Sequence, residues 1–226
     1  MSSLPQLFAR LPDVFDPAQA AERPWELLGE PLESALAALP SSRIEIGLDP
    51  GVHLAGDRIV IGRGSRIHPT AVIEGPVFIG REVTVRAGAY VRGGCWLEDE
   101  AIVGANTEVK HSILLHGARA PHLAYVGDSI LGANCNLGAG TVLSNFRHDG
   151  REIVVPLAEG TLATGSRKLG AVLGDDVLTG CNSVLHPGCI VGAGTRLYPG
   201  VQLRPGVYPA RAIVKLKQQV EVVEQQ

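Results

Sequence analysis

Aromatic residues are scarce in this chain: four Phe, four Tyr and two Trp make up 4% of 226 residues. A core without rings must be filled by Val, Ile, Leu and Ala, and an apolar content of 45% supplies enough of them. Short aliphatic side chains suit a narrow, regular interior. No apolar run approaches the ~18 residues of a membrane span, so no membrane partner is expected. The net charge is −3, without a basic stripe, which argues against nucleic acid as a partner. The first residues carry neither the basic nor the apolar region of a secretory signal. The four Cys show no C-x-x-C spacing. Reduced thiols and a cytoplasmic location are the expectation.

What the chain has in quantity is glycine, at 28, and proline, at 15, both of which mark turns. They fall into a rhythm. Stepping by six from Ile61 meets Ile67, Ile73, Ile79, Val85, Val91, Leu97, Val103, Val109 and Leu115, all aliphatic. The step resumes at Leu131, Leu137 and Leu143, and again at Leu173, Leu185, Val191, Leu197 and Leu203, with Thr179 the polar member. Two residues before each stands a small or β-branched residue, such as Ser65, Ala71, Val83, Ala89 or Ala101. An α-helix repeats its apolar face about every 3.6 residues, so a period of six is not helical. It fits a short strand and a tight turn, three of which close a coil of about 18 residues. The pattern resembles the left-handed parallel β-helix of hexapeptide-repeat proteins, an all-β fold. Cys95, Cys135 and Cys189 occupy the small-residue position and read as packing residues. The chain divides into an N-terminal helical and extended appendage over 1–57, the β-helix over 58–208 and a charged tail over 209–226.

Two segments fall outside the register: Gly117–Tyr125, and a loop inserted over 145–170. Loops on a rigid scaffold carry function. The first presents His122, with Asp128 and Asn136 nearby. A neutral imidazole near pH 7 suits taking a proton from an amine or hydroxyl, although a lone His is as readily structural or solvated. The second carries Asn145, Arg147, His148, Arg167 and Lys168 near its ends. It is long for a connection and is expected to reach a neighbouring subunit rather than fold back on one narrow coil. Arg92 and Lys110 stand one coil apart and should stack on strands about 4.8 Å apart. Unpaired like charges there repel, so either an anion such as phosphate bridges them or they are solvated beside Glu98, Asp99 and Glu108.

The stretch EVKHSILLHGARAPHLAYVGDSILGANCNLGAGTVLSN, from Glu108 to Asn145, resembles the acetyltransferase domain of the bifunctional glucosamine-1-phosphate N-acetyltransferase / sugar-1-phosphate nucleotidylyltransferase family. The signature is E-x-K, then H-L-x-Y-x-G-D, then N-x-G-A-G-T. The segment TGSRKLGAVLGDD resembles the form with a longer loop found in archaea and some bacteria. The resemblance implies transfer of an acetyl group from acetyl-coenzyme A to the amine of a hexosamine 1-phosphate, with no metal, in nucleotide sugar biosynthesis. By position, His122 matches the general base. Arg92, Lys110 and Lys168 match phosphate contacts, Tyr125 and Asn136 amino-sugar contacts, and Asn145 a residue near base and acceptor. Acetyl-coenzyme A contacts are expected at Gly138, Ala139, Gly140, Cys181 and Pro199, with backbone N–H groups near Gly138–Thr141 facing the oxyanion. The family works as a homotrimer, with the cofactor between neighbouring subunits.

The chain departs from that family twice. No G-x-G-T-R nucleotide loop opens it, so the nucleotidyltransferase half is not implied and a separate nucleotidyltransferase stands as a partner. Phe146 replaces the usual Tyr, and the sugar epimer, gluco or galacto, stays open. Two alternatives belong to other classes. One is a non-catalytic or regulatory β-helix. The other is a zinc enzyme like the γ-class carbonic anhydrases, in which His111 and His116 would be ligands. The latter lacks a third His near residue 75, and an open catalytic zinc needs three protein ligands.

Overall fold

The computed structural model describes residues 4–217. Among them, three stacks of short parallel strands form the faces of a parallel β-helix. Face A has nine strands, from Ser42–Ile44 to Gly206–Tyr208, and face B has eight, from His53–Ala55 to Gln202–Leu203. Face C comes in two parts, four strands from Arg66–Ile67 to Arg119–His122 and three from Leu178–Thr179 to Ile213–Val214. The last of these lies in the charged tail, whose residues 218–226 fall outside the described ones. Parallel pairing begins with Ser42–Ile44 against Ile59–Ile61, so the coil takes in residues that the pattern left in the appendage. An end coil has a neighbour on one side only. Its apolar residues Ile46, Leu48, Val52 and Leu54 are partly buried against the core and do not keep the period.

The aliphatic column points inward as the period requires. Ile61, Ile73, Ile79, Val91, Leu97 and Val103 are fully buried in one cluster with the small corner residues. The thiols of Cys95 and Cys189 are pushed up to about 12 by burial, and that of Cys135 is pushed up as well. The polar member, Thr179, is satisfied inside: its Oγ1 lies 2.8 Å from Thr141 Oγ1 and accepts from Gly138 N at 3.0 Å.

One expectation is corrected here. Gly117–Tyr125 is a regular coil, with Ala118, Ala120 and Ala124 at inward positions. The register slips elsewhere. Val109 is followed inward by Leu114, and Val126 by Leu131, five residues on. Leu115 accordingly faces outward into a second cluster. Along face A the coils from Ile59 to Leu97 repeat every 18 residues, as in Val77 to Cys95; here Trp96 pairs with Ile113 and Ile113 with Ile130, every 17. Serine closes each shortened corner. Ser112 Oγ donates to Lys110 O and Ser129 Oγ to Gly127 O, both at 2.7 Å, while Ser112 Oγ accepts from Ser129 N.

The second cluster coats the outside of face A. Trp96, Ile113, Ile130, Val172 and Ile190 point outward there. Helices Pro17–Glu22 and Glu30–Ala37, with the 3-10 turn Pro24–Leu28, cover them through Phe15, Trp25, Leu28, Leu32 and Leu36. The inserted loop covers the rest. It forms an antiparallel hairpin, Val154–Pro156 with Thr161–Ala163, and buries Ile153, Val155 and Leu169 in the same cluster. The loop therefore folds back on its own coil, contrary to expectation, because its own apolar residues find an apolar face there.

Candidate active site

Face B keeps its outward residues open. Strand alternation around Val91, Val109 and Val126 turns Tyr90, Arg92, Glu108, Lys110 and Tyr125 outward, all half-buried. Arg92 and Lys110 do stack, but neither is unpaired. Arg92 Nη1 lies 3.0 Å from Glu108 Oε1, with its guanidinium 5.9 Å over the Tyr90 ring. Lys110 Nζ lies 2.9 Å from Asp128 Oδ2. The repulsion that would demand a bridging anion is thus relieved inside the chain.

Asp128 organises the edge where face B meets face A. It is 4% exposed and sits at φ 46, in the left-handed region that Asp tolerates. Its Oδ2 accepts from Lys110 and from Asn145 Nδ2, and its Oδ1 faces His111 Nδ1 at 3.0 Å. Burial works to raise its carboxyl, but the bonds from His111, Lys110 and Asn145 outweigh that and hold it below the usual carboxylate range. Asn145 is where the loop leaves the coil, and Leu169 N donates back to Asn145 O at 3.1 Å. That neck brings Lys168 to the same edge, beside His111, Asp128, Phe146, Ser166 and Arg167 around a cavity of about 510 Å³. Tyr125 leans over Gly127: a Cβ there would stand 2.6 Å from the Tyr125 hydroxyl and 2.8 Å from Asn145 Nδ2.

His122 stands at the opposite edge of face B, where it meets face C. It is exposed, at the end of the strand Arg119–His122 and in register with Ala105. Successive corners stack on it. Gly140 N donates to His122 O at 3.2 Å, Asn182 N to Ala139 O at 2.8 Å and Gly200 N to Cys181 O at 2.9 Å. Gly138, Ala139, Gly140, Cys181 and Pro199 therefore share one continuous edge with His122. A Cβ on Gly138 would sit 2.6 Å from Cys181 N, so only glycine lets these corners approach. Asn136 lies on face C, bridged to Arg119 and Leu178. Within one chain it does not join Tyr125, Lys110 and Asn145.

The sequence pattern offered His111 only as a zinc ligand and Asp128 only as a neighbour of His122, and it missed their contact and the organising role of Asp128. A signal for both existed: S-I-L at 112–114 and again at 129–131, spaced by 17 where the two face A coils just before are spaced by 18. Among the described residues, no group of three or more His, Cys, Asp or Glu could hold a metal ion, and no helix is long and apolar enough to cross a membrane.

Comparison with known proteins adds to this geometry. The family described as the GMPPB C-terminal domain matches residues 73–185, and bacterial transferase hexapeptide repeats match residues 170–205. A bifunctional sugar-1-phosphate nucleotidylyltransferase/acetyltransferase of Sulfurisphaera tokodaii is 36% identical over 178 residues, 79% of this chain and 44% of that protein. A bifunctional protein GlmU of Methanococcus maripaludis is 38% identical over 154 residues, 68% of this chain and 37% of that one. The chain thus spans less than half the length of these curated relatives. Among solved structures, an Arabidopsis UDP-N-acetylglucosamine acyltransferase aligns over 78% of this chain and 70% of its own, at 15% identity and a TM-score of 0.45.

Proposed function

Since this chain belongs to the family of the GMPPB C-terminal domain and carries hexapeptide transferase repeats, we propose that it is an acetyltransferase moving an acetyl group from acetyl-coenzyme A to the amine of a hexosamine 1-phosphate. The observation that carries this reading is the layout of face B. One edge gathers Lys110, Lys168 and Asn145 around buried Asp128, and the other presents an exposed His122 beside a column of glycine-rich corners. The first edge suits a sugar phosphate, and the second suits the acyl donor and a proton acceptor.

The chemistry follows from that layout. The amine nitrogen attacks the thioester carbon, a C–N bond forms and the C–S bond breaks. His122 takes the proton from nitrogen and passes it to the departing thiolate. Within the Gly138–Thr141 corner, the N–H groups of Gly138, Gly140 and Thr141 donate to Thr179, His122 and Gly138, so Ala139 N–H is the one we assign to steady the oxyanion. Arg92, Lys110 and Lys168 hold the phosphate and Tyr125 and Asn145 the sugar, so orientation supplies further rate. Asn136 lies on face C, so it reaches the same ligand only when face C of a second copy meets face B, which is the basis for a homotrimer with shared sites. The names of the relatives include a nucleotidyltransferase activity, and such an activity would consume the acetylated product.

The test is free-thiol release from acetyl-coenzyme A against a panel of amino-sugar 1-phosphates. Release that depends on both the amine and the phosphate supports the reading; none with any member of the panel overturns it.

A further inference from the structure

We propose that His111, oriented by buried Asp128, is a phosphate-binding residue of this site, and that its protonation sets how tightly a sugar 1-phosphate is held; the ligand class rests on the reading above. Facing a carboxylate at 3.0 Å, Nδ1 of His111 is the donor. The carboxylate cannot turn away, because its other oxygen accepts from Lys110 and Asn145 and the residue is 4% exposed. The ring also has a built seat. Gly94, at φ +83 in the coil below, lies under it, and a Cβ there would come within 3.0 Å of His111 Cδ2. The tightened corner holds the imidazole over the space that the glycine leaves, and among the described residues Nε2 has no hydrogen-bond partner.

The ring lines two adjoining cavities. One holds Phe146, Arg167 and Lys168. The other, of about 510 Å³, lies between the N-terminal segment and the loop, with Ser166 and Lys168 on one wall and Glu26, Glu30 and Glu33 on the other. Counting charge gives the consequence. Lys110 and Asp128 cancel, so a neutral His111 leaves the trio uncharged and an imidazolium leaves it at one positive charge. Arg92 is already engaged by Glu108. A phosphate at this edge gains a charge-assisted hydrogen bond from Nε2–H only when His111 is protonated. Substrate binding should therefore tighten as pH falls through the imidazole range, against the phosphate's own loss of charge near pH 6.

Calorimetric titration with glucose 1-phosphate, which carries the phosphate but no amine, tests this in wild type and His111→Gln at about pH 6 and about pH 8. The ligand's own ionisation is common to both proteins and cancels in the ratio of their affinities. That ratio should favour wild type on the order of 10-fold more at the lower pH, the worth of one charge-assisted hydrogen bond. In wild-type protein alone, adding glucose 1-phosphate should raise the NMR titration midpoint of the His111 ring. Equal ratios at both pH values, an unmoved midpoint or no binding of glucose 1-phosphate overturns the proposal. Binding with these signatures but no thiol release with any amino-sugar phosphate would instead sink the acetyl-transfer reading and leave His111 standing.

Discussion

Faces A and B are built from the same repeat, and their inward residues are interchangeable in kind: Leu97, Leu114 and Leu131 on one, Val91, Val109 and Val126 on the other. Their outward residues differ entirely. Face A turns out Trp96, Ile113 and Ile130 and is sealed under helices and hairpin. Face B turns out Arg92, Lys110 and Tyr125, and the sealing segments stop at its edge. The inward column specifies the coil, whichever face it serves. The outward column decides whether a face becomes a second core or a place for chemistry.

The comparison can be broken at either face. Trp96 stacks on Phe78 at 4.1 Å and meets Phe15 edge-on at 5.8 Å, tying the N-terminal segment to face A. Trp96→Ala should lower unfolding stability by about 3–5 kcal/mol, with turnover per folded molecule retained. Chemical denaturation alongside steady-state kinetics checks this, and turnover falling with stability would erase the distinction between the faces. On face B the balance should reverse. Gly127→Ala inserts a methyl against the ends of Tyr125 and Asn145. It should cost up to about 10²-fold in kcat/KM, since misplaced positioning groups are that expensive, with a stability change below about 1 kcal/mol. A large loss of stability instead would make Gly127 a folding residue.

Smaller effects sharpen the picture. Lys110→Ala should raise KM for the sugar phosphate more than for acetyl-coenzyme A, by about 1.5–3 kcal/mol in binding terms. Equal effects on both substrates would remove Lys110 from the phosphate site. The smallest effect concerns pH. Asp128 is held below the usual carboxylate range, so its contribution to stability is complete above its unfolded value of about 4 and is lost as pH falls through its lower folded value. Asp128→Asn should flatten that acid limb of the unfolding profile. An unchanged acid limb would mean the carboxylate is not held by His111, Lys110 and Asn145.

The coil was legible in the sequence because one residue in six must be aliphatic wherever the interior is narrow. The slip at Lys110–Ile113 was not, since Leu115 stands six residues after Val109 and satisfies the count, while the inward residue is the adjacent Leu114, five on. The same ambiguity made Gly117–Tyr125 look like a break, when Ala120 is simply a small inward residue. The destination of the long loop was illegible for another reason. Ile153, Val155 and Leu169 have no period, and only the apolar outside of face A shows where they go. His122, Lys110 and Asn145 were legible through the motif that the resemblance rests on, whereas the contact of His111 with Asp128 shows only in the structure.

The central claim, that chemistry resides on outward residues of an open edge while inward residues hold the fold, is tested most directly by His122→Ala, assayed for thiol release and thermal unfolding together. His122 is exposed and touches no inward column. Melting should therefore be unchanged, while turnover at about pH 7 should fall by about 10²–10⁴-fold, the usual worth of a general base. The residual rate should rise with pH as the amine loses its proton unaided. Near-normal turnover at neutral pH, or a variant that fails to fold, would contradict the account.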